Sequence, residues 1–406
     1  MMNARVAVGE DFMRVLILAP QPFYQERGTP IAVDMLLKAL SARGDVVDVL
    51  TYHLGTTPEY TGVTLYRIPR LAGIRTIRAG LSLKKLICDG FLYREAVRLV
   101  KKNRYDLVHA VEESAFMALA IKRKFGIPYV YDMDSSMSLQ IIEKRPWLKF
   151  AVPLMEKQEA RVIRQATAVI PVCPALFDIA GKNGATRNVL ITDFSLLNTP
   201  APGARDALRK RFGVKGMAFL YLGNLEHYQG IDLLMESFQD LLKRQQEVTL
   251  VIAGGSEADI TRYRQKAGTM GIADSCRFIG PWPLRDMASI FEMADVLVSP
   301  RIMGNNTPMK IYSYLASGRP VIATRISSHT QVLSDEVALL CEVDAKAMAR
   351  GMDTLIQRND LRVSLSAKAL KLADEKYSPQ TFNRAVFALY ADLESSRGKT
   401  SPLIKK

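Results

Sequence analysis

Apolar residues recur along this chain in two rhythms. Residues 15–19, 46–50, 107–109, 129–131 and 168–171 are short apolar runs, the pattern of strands covered on both faces in a parallel sheet. Between them, 31–42 and 153–165 place apolar side chains at helical spacing, and Gly44 follows the first where a left-handed helix end is expected. The second half repeats the alternation. Residues 218–222, 249–253, 276–279, 296–298 and 321–323 read as strands, with helices starting near Ile231, Glu257, Leu284, Pro308 and Ala345. Strand–helix alternation of this kind predicts an α/β chain with two doubly wound, Rossmann-like sheets. The run from Asn198 to Gly203, NTPAPG, is rich in turn formers and reads as the linker. The expected division is therefore 1–200, with 1–13 a disordered extension, then 201–378, then 379–406 as a returning helix with a basic tail.

Everything else is organised around SPRIMGNNTPMKIYSYLASGRPVIAT, which begins at Ser299. Gly304, Asn305 and Asn306 are turn formers, Thr307 suits a helix cap, and Pro308 suits a first helical position because it lacks a donor. Gly318 and Pro320 end that helix before the next strand. A helix start behind a strand offers unpaired N–H groups and a positive dipole end to an anion. Arg301 and Lys310 flank it and add charge for a diphosphate. An ordinary turn with two solvated basic side chains is the competing reading.

This segment resembles the donor-binding signature of the GT4 family of retaining glycosyltransferases, in a branch reading N-T-P-x-K-x-Y-S-Y. The resemblance implies a GT-B fold, two Rossmann-like domains with the ligand in the cleft between them. It also implies a nucleotide diphosphate sugar as donor, with no metal and no cofactor. The two glutamates of the wider family fall at Asn305 and Ser313, so both carboxylates are absent. A second stretch, GNLEHYQGID from Gly223, resembles a family motif whose Arg and Lys bind the diphosphate, and those positions are Asn224 and Gln229. The expected donor-side residues are accordingly Gly28, Gly223, Asn224, Gln229, Gly230, Asn305, Asn306, Thr307, Pro308, Met309 and Ser313, with Arg301 and Lys310 carrying the charge. Glu112, Glu113, Asp132 and Asp134 are expected at the carboxyl ends of first-half strands, where ligands sit in open α/β sheets. They are candidates for holding an acceptor hydroxyl, and Glu112 for acting as general base; exposed loop carboxylates are the alternative. His109, on a strand, reads as a core histidine. Attack on the face that the diphosphate leaves requires no protein nucleophile. The acceptor is expected to be a glycan or lipid-linked precursor. The rivals are a GT-B epimerase or phosphorylase, and a non-catalytic protein that binds sugar nucleotides or a membrane surface.

Charge sharpens one further point. The 406 residues carry a net charge of +14, much of it between Arg67 and Arg104, where apolar residues are interleaved at roughly helical spacing. Such a segment suits an anionic membrane surface; a solvated helix packed on its domain is the alternative, and no nucleic-acid motif accompanies the charge. Cys88, Cys173, Cys276 and Cys341 are scattered without a C-x-x-C pair, which fits a reducing cytoplasm and no zinc site. No apolar run reaches the roughly 18 residues of a spanning helix, and the N-terminus lacks the apolar core of a signal peptide. The expected location is cytoplasmic, with peripheral contact at the inner face of the membrane.

Overall fold

A computed structural model describes residues 13–77, 82–137, 150 and 152–397. The expected N-terminal extension, the basic tail from 398 onward, and Arg78 and Leu81 of the basic stretch lie outside the described residues. The chain forms two compact units, Met1–Thr192 with Phe382–Lys406, and Asp193–Thr381.

The first unit holds β1 (Arg14–Ala19), β2 (Val46–Thr51), β3 (Val63–Arg67), β4 (Leu107–Val111), β5 (Tyr129–Met133) and β6 (Ala168–Pro171), in the spatial order β3-β2-β1-β4-β5-β6. All pairs are parallel, with Ile17 opposite both Val49 and His109. Its helices are α1 (Gly28–Arg43), α2 (Leu83–Lys102), α3 (Ser114–Phe125), α4 (Val152–Gln165) and α5 (Pro174–Lys182). The second unit holds β7 (Met217–Leu222), β8 (Val248–Ala253), β9 (Cys276–Ile279), β10 (Val296–Ser299), β11 (Val321–Thr324) and β12 (Leu339–Cys341), again all parallel, in the order β12-β11-β10-β7-β8-β9. Its helices are α6 (Ala204–Phe212), α7 (Ile231–Leu242), α8 (Glu257–Thr269), α9 (Met287–Met293), α10 (Lys310–Leu315), α11 (Ser327–Thr330), α12 (Ala345–Gln357) and α13 (Asn359–Lys376); α14 (Pro379–Arg397) follows.

Every strand expected from the apolar runs is present, because those runs are buried on both faces: β4 and β8 are buried throughout. The two strands the pattern missed are edge strands. β3 has no fully buried residue and β12 is three residues long, so neither carries a long apolar run. The helix expected at Leu284 begins as a tight turn and becomes α9 at Met287.

Leu389, Tyr390 and Leu393 of α14 are buried in one cluster with Val15, Ile17, Val47 and Val130. Within it His109 is completely buried. Its Nδ1 lies 2.8 Å from the Tyr390 hydroxyl and its Nε2 lies 3.2 Å from Asp132 Oδ2. A carboxylate can only accept, so Nε2 donates to Asp132 and Nδ1 accepts from Tyr390. Replacing Tyr390 with Phe leaves a buried ring nitrogen without a donor. The expected loss is about 1–3 kcal/mol of stability, read as a lower urea midpoint; an unchanged midpoint would show that the hydroxyl contributes nothing.

Candidate functional site

In the second unit the chain runs from β7 outward to β8 and β9, then returns to lay β10 on the other side of β7. At such a reversal the carboxyl ends of neighbouring strands open a crevice suited to a ligand. The loops 223–230 and 300–309 leave from that place, and glycine lets them meet. Gly230 has φ 72°, and a Cβ there would stand 2.0 Å from the Pro300 carbonyl oxygen. The Ile302 amide then donates to the Tyr228 carbonyl at 3.0 Å.

This contact places Lys310, the first residue of α10, against the other loop. Its Nζ donates to Gln229 Oε1 at 3.2 Å and lies 4.0 Å from the centroid of the Tyr221 ring. A Cβ built on Gly223 would be 3.4 Å from the same nitrogen. Gly223, Gln229 and Lys310 are thus brought together. Lys310 pairs with no carboxylate among the described residues, and burial, aided by the nearby Arg301 charge, holds its ammonium well below the usual lysine range. The Arg301 guanidinium stacks 5.1 Å from the Tyr228 ring centroid, while Nε and Nη1 donate to the carbonyls of Met303 (2.7 Å) and Asn306 (3.1 Å). Asn305 offers its carbonyl to Gln331 Nε2 at 2.7 Å. Asn305 and Asn306 therefore serve the loop through their backbone.

The start of α10 differs from the expectation. Met309, not Thr307, holds the cap position, and the helix has only 6 residues. Its first turn closes tightly, with Ile311 N donating to the Pro308 carbonyl at 2.9 Å. The helical backbone begins too late for the Thr307 side chain to cap it, and Thr307 Oγ1 is buried without a partner among the described residues. Pro308 and Met309 are half-buried, Ser313 is buried inside α10, and Asn224 is exposed. His329 is fully buried, with Nε2 2.9 Å from Ser299 Oγ and Nδ1 2.8 Å from the Thr324 carbonyl. Burial pushes it down to about 4, the Thr324 carbonyl opposing and the charges of Lys310 and Arg301 reinforcing the shift.

The first sheet reverses in the same way between β1 and β4. Glu112 follows β4 in a left-handed conformation, φ 50°, with its amide donating to the Asp132 carbonyl at 2.9 Å and its Oε1 accepting from Ser135 Oγ at 3.4 Å. Glu113 Oε1 lies 2.5 Å from Lys85 Nζ. Asp89 accepts from the Tyr52 hydroxyl at 2.5 Å. Burial, reinforced by Glu113, pushes Glu112 well above the usual carboxylate range. Asp89 is pushed up to about 6, by burial first. Asp132 is engaged with His109, and half-buried Asp134 follows β5. Gly28 opens α1, and a Cβ there meets nothing within 4 Å.

Sequence reasoning overlooked several of these groups. Lys85 was counted with the surface cations of the basic stretch, yet it points inward. Its signal is helical spacing: Lys85 and Asp89 flank the side of α2 that buries Cys88 and Leu92. Glu159, buried, accepts from Ser136 Oγ and Met137 N, both at 2.9 Å. Gln21, after β1, is buried with its Nε2 unpaired among the described residues; no sequence pattern marks it.

With this geometry in hand, the chain matches two family descriptions, Glycosyl transferase 4-like domain over residues 27–191 and Glycosyl transferases group 1 over 205–372. It is 28% identical to a phosphatidyl-myo-inositol mannosyltransferase of Mycobacterium tuberculosis, over 95% of this chain and 99% of the relative. Among solved structures it is similar to a sucrose-phosphate synthase from Thermosynechococcus elongatus, with TM-score 0.78, 19% identity, and 95% and 100% of the two chains covered. It is also similar to Anabaena HepE in complex with UDP, with TM-score 0.74, 15% identity, and 94% and 100% covered.

Two outcomes are expected. Gly230→Ala lowers the melting temperature, since a left-handed backbone alone costs an alanine about 1–2 kcal/mol before the Pro300 clash is counted, whereas Gly28→Ala leaves it unchanged. Equal melting temperatures for the two variants would refute the loop contact. The second concerns pH. Glu112 and Asp89 hold protons in the folded state at pH values where the unfolded chain has released them, so stability falls as pH rises above the ordinary carboxylate range. Melting temperature should drop between about pH 5 and pH 8, and Glu112→Gln should flatten that drop; superimposable profiles would show that Glu112 titrates normally.

Proposed function

The chain belongs to the group 1 glycosyl transferases, and from that premise we propose that it is a retaining enzyme moving a sugar from a nucleotide diphosphate sugar to an acceptor hydroxyl. The observation that carries the donor side is the Lys310 ammonium beside Gln229 and Gly223. The cations missing at Asn224 and Gln229 are replaced in space by one from α10. Lys310, with Arg301 near it and nearby in sequence the Thr307 hydroxyl, unpaired among the described residues, answers the charge that builds on a departing diphosphate, the main electrostatic demand of such a transfer. Neither a metal nor a cofactor is part of the proposal, and no protein nucleophile is invoked.

On the acceptor side, Glu112 is a buried carboxyl whose raised proton affinity suits it to take a hydrogen bond or a proton from a hydroxyl. Glu113, Asp132 and Asp134 lie at the carboxyl ends of neighbouring strands of the same sheet, Glu113 paired with Lys85 and Asp132 with His109. Support for a nucleotide donor comes from the Anabaena protein, whose structure contains UDP, and support for a lipid-linked acceptor from the mycobacterial relative, named for phosphatidyl-myo-inositol.

A second element of the reading is peripheral contact with an anionic membrane from the cytoplasmic side. Leu83 (74% exposed) and Leu86 (56%) project from the first turn of α2, and Lys84, Arg94, Arg98, Lys101 and Lys102 are exposed on the same helix. Ile74, Ile77 and Leu92 are buried, and Arg67 donates to the Leu54 and Thr56 carbonyls, so the surface is narrower than the stretch 67–104. No helix among the described residues is long and apolar enough to cross a membrane.

A thermal-shift screen against UDP-, GDP- and ADP-sugars, with and without magnesium, tests the donor side. One nucleotide class should raise the melting temperature, and Lys310→Ala should bind that donor roughly tenfold to a hundredfold more weakly, the loss of about 1.5–3 kcal/mol expected for a charged hydrogen bond. Absence of any shift near millimolar donor would refute the pocket. For the membrane, Leu83→Asp with Leu86→Asp should abolish flotation with anionic vesicles; undiminished flotation would place the contact elsewhere.

A further inference from the structure

The starts of two helices leave large apolar side chains exposed. α2, α3 and α4 share one core cluster, in which Cys88 and Leu92, Ala115 and Ala118, and Val162 and Ile163 are buried. They therefore cover the same face of the first sheet, with α3 packed against both of the others. A helix that joins parallel strands starts at the carboxyl edge of the sheet and runs back to the other edge. The starts of α2 and α4 thus stand at the edge where Glu112 and Asp134 follow their strands. Leu83, Leu86 and Ile87 are exposed at the start of α2. At the start of α4 Leu154 is 63% exposed, and Phe150, four residues before it, is 78% exposed. Further along each helix the exposed stripe turns basic. Arg94, Arg98 and Lys101 follow Ile87 at helical spacing on α2, and Lys157, Arg161 and Arg164 follow Leu154 on α4. Every exposed ionisable side chain of α2 is basic, and Glu156 is the exposed acid of α4. Lys85 does not belong to this surface, because it turns inward to Glu113.

We propose that the first unit docks on an anionic lipid bilayer at two places, the start of α4 as well as the start of α2, which brings the carboxyl edge of its sheet to the headgroups. The inference rests on the membrane reading above and goes beyond it, since that reading names α2 alone. Two helices separated by a third stand about 20 Å apart at ordinary packing distances, so the apolar side chains form two separate points at one edge. A planar partner meets both at once. Apolar side chains at one edge of the helical layer, with bases spread behind them, match the acyl and phosphate levels of an anionic leaflet. Each point is weak by itself, as single membrane anchors are. The second raises affinity because it binds from a molecule that is already docked. It also restricts pivoting about the first. An acceptor whose lipid part stays in the leaflet then meets the sheet edge that carries Glu112.

The test uses the full chain with vesicles of phosphatidylcholine, alone or mixed with phosphatidylglycerol. The native cysteines Cys88, Cys173, Cys276 and Cys341 are all buried, so a bimane label can be placed selectively on Leu83→Cys, Leu154→Cys or Lys38→Cys, the last on α1, which packs in the cluster across the sheet. On the mixed vesicles the labels at positions 83 and 154 should shift to the blue and be quenched by lipids with a shallow nitroxide, and the label at 38 should do neither. Leu154→Asp should lower the partition coefficient at least roughly tenfold, the loss of one leucine's burial, with an unchanged melting temperature. Lys157→Glu with Arg161→Glu should lower it by a similar factor on the anionic vesicles. If Leu154→Asp fails to fold, the label at 154 decides. Quenching at 83 without quenching at 154 overturns this inference and leaves the α2 contact standing. A folded Leu154→Asp variant that partitions like wild type also overturns it. A concentration-dependent dimer that Leu154→Asp abolishes assigns α4 to a second copy of this chain and overturns it as well. No binding of the wild type to either vesicle overturns both the inference and the membrane reading.

Discussion

The contact on which the second unit's site depends is the close approach of two backbones at Gly230. A Cβ there would sit 2.0 Å from the Pro300 carbonyl, so only glycine allows the loop after β7 to lie on the loop after β10. From that follow the Ile302–Tyr228 hydrogen bond, the stacking of Arg301 on Tyr228, and the meeting of Lys310 with Gln229. Gly254 repeats the device one strand away, where a Cβ would stand 2.1 Å from the Gly223 carbonyl. The loops at this sheet edge are thus locked by backbone proximity, and their side chains are aimed as a consequence.

Charge is arranged sparingly within that frame. Arg301 uses guanidinium donors to hold the Met303 and Asn306 carbonyls, so part of its role is to shape the loop that presents it. Lys310 carries the less encumbered charge. Asn224 and Gln229 carry no charge, and Arg301 and Lys310 bring cations to the same loops. Gln229, which carries no charge, keeps a polar contact with Lys310.

The first unit shows the same logic with opposite sign. At the reversal between β1 and β4 the groups are acidic, and the helix α2 sends Lys85 inward to meet Glu113. Burial, reinforced by the neighbouring Glu113 carboxylate and only partly offset by Lys85, is why protons are retained on Glu112 and Asp89. Asp132 is held by His109, and His109 in turn by Tyr390 from near the other end of the chain. Two sheets with the same winding therefore place groups of contrasting charge at equivalent points.

The fold was largely legible in the sequence. Apolar runs marked ten of the twelve strands to within two residues at either end, and the misses, β3 and β12, are edge strands whose faces are not fully covered. Burial on both faces writes itself into consecutive residues, which is a local property. The site was legible only as a set of names. Lys85 looked like one more surface cation, Thr307 looked like a helix cap, and Gln21 had no signal at all. Their roles turn on which side of a helix meets the sheet, where a turn releases the chain, and which loop lies against which. The sequence by itself determined the period of each element and the chemistry available. The tertiary structure decided which groups lose water and which neighbours they gain, because both depend on contacts between residues such as Lys310 and Gln229, far apart along the chain.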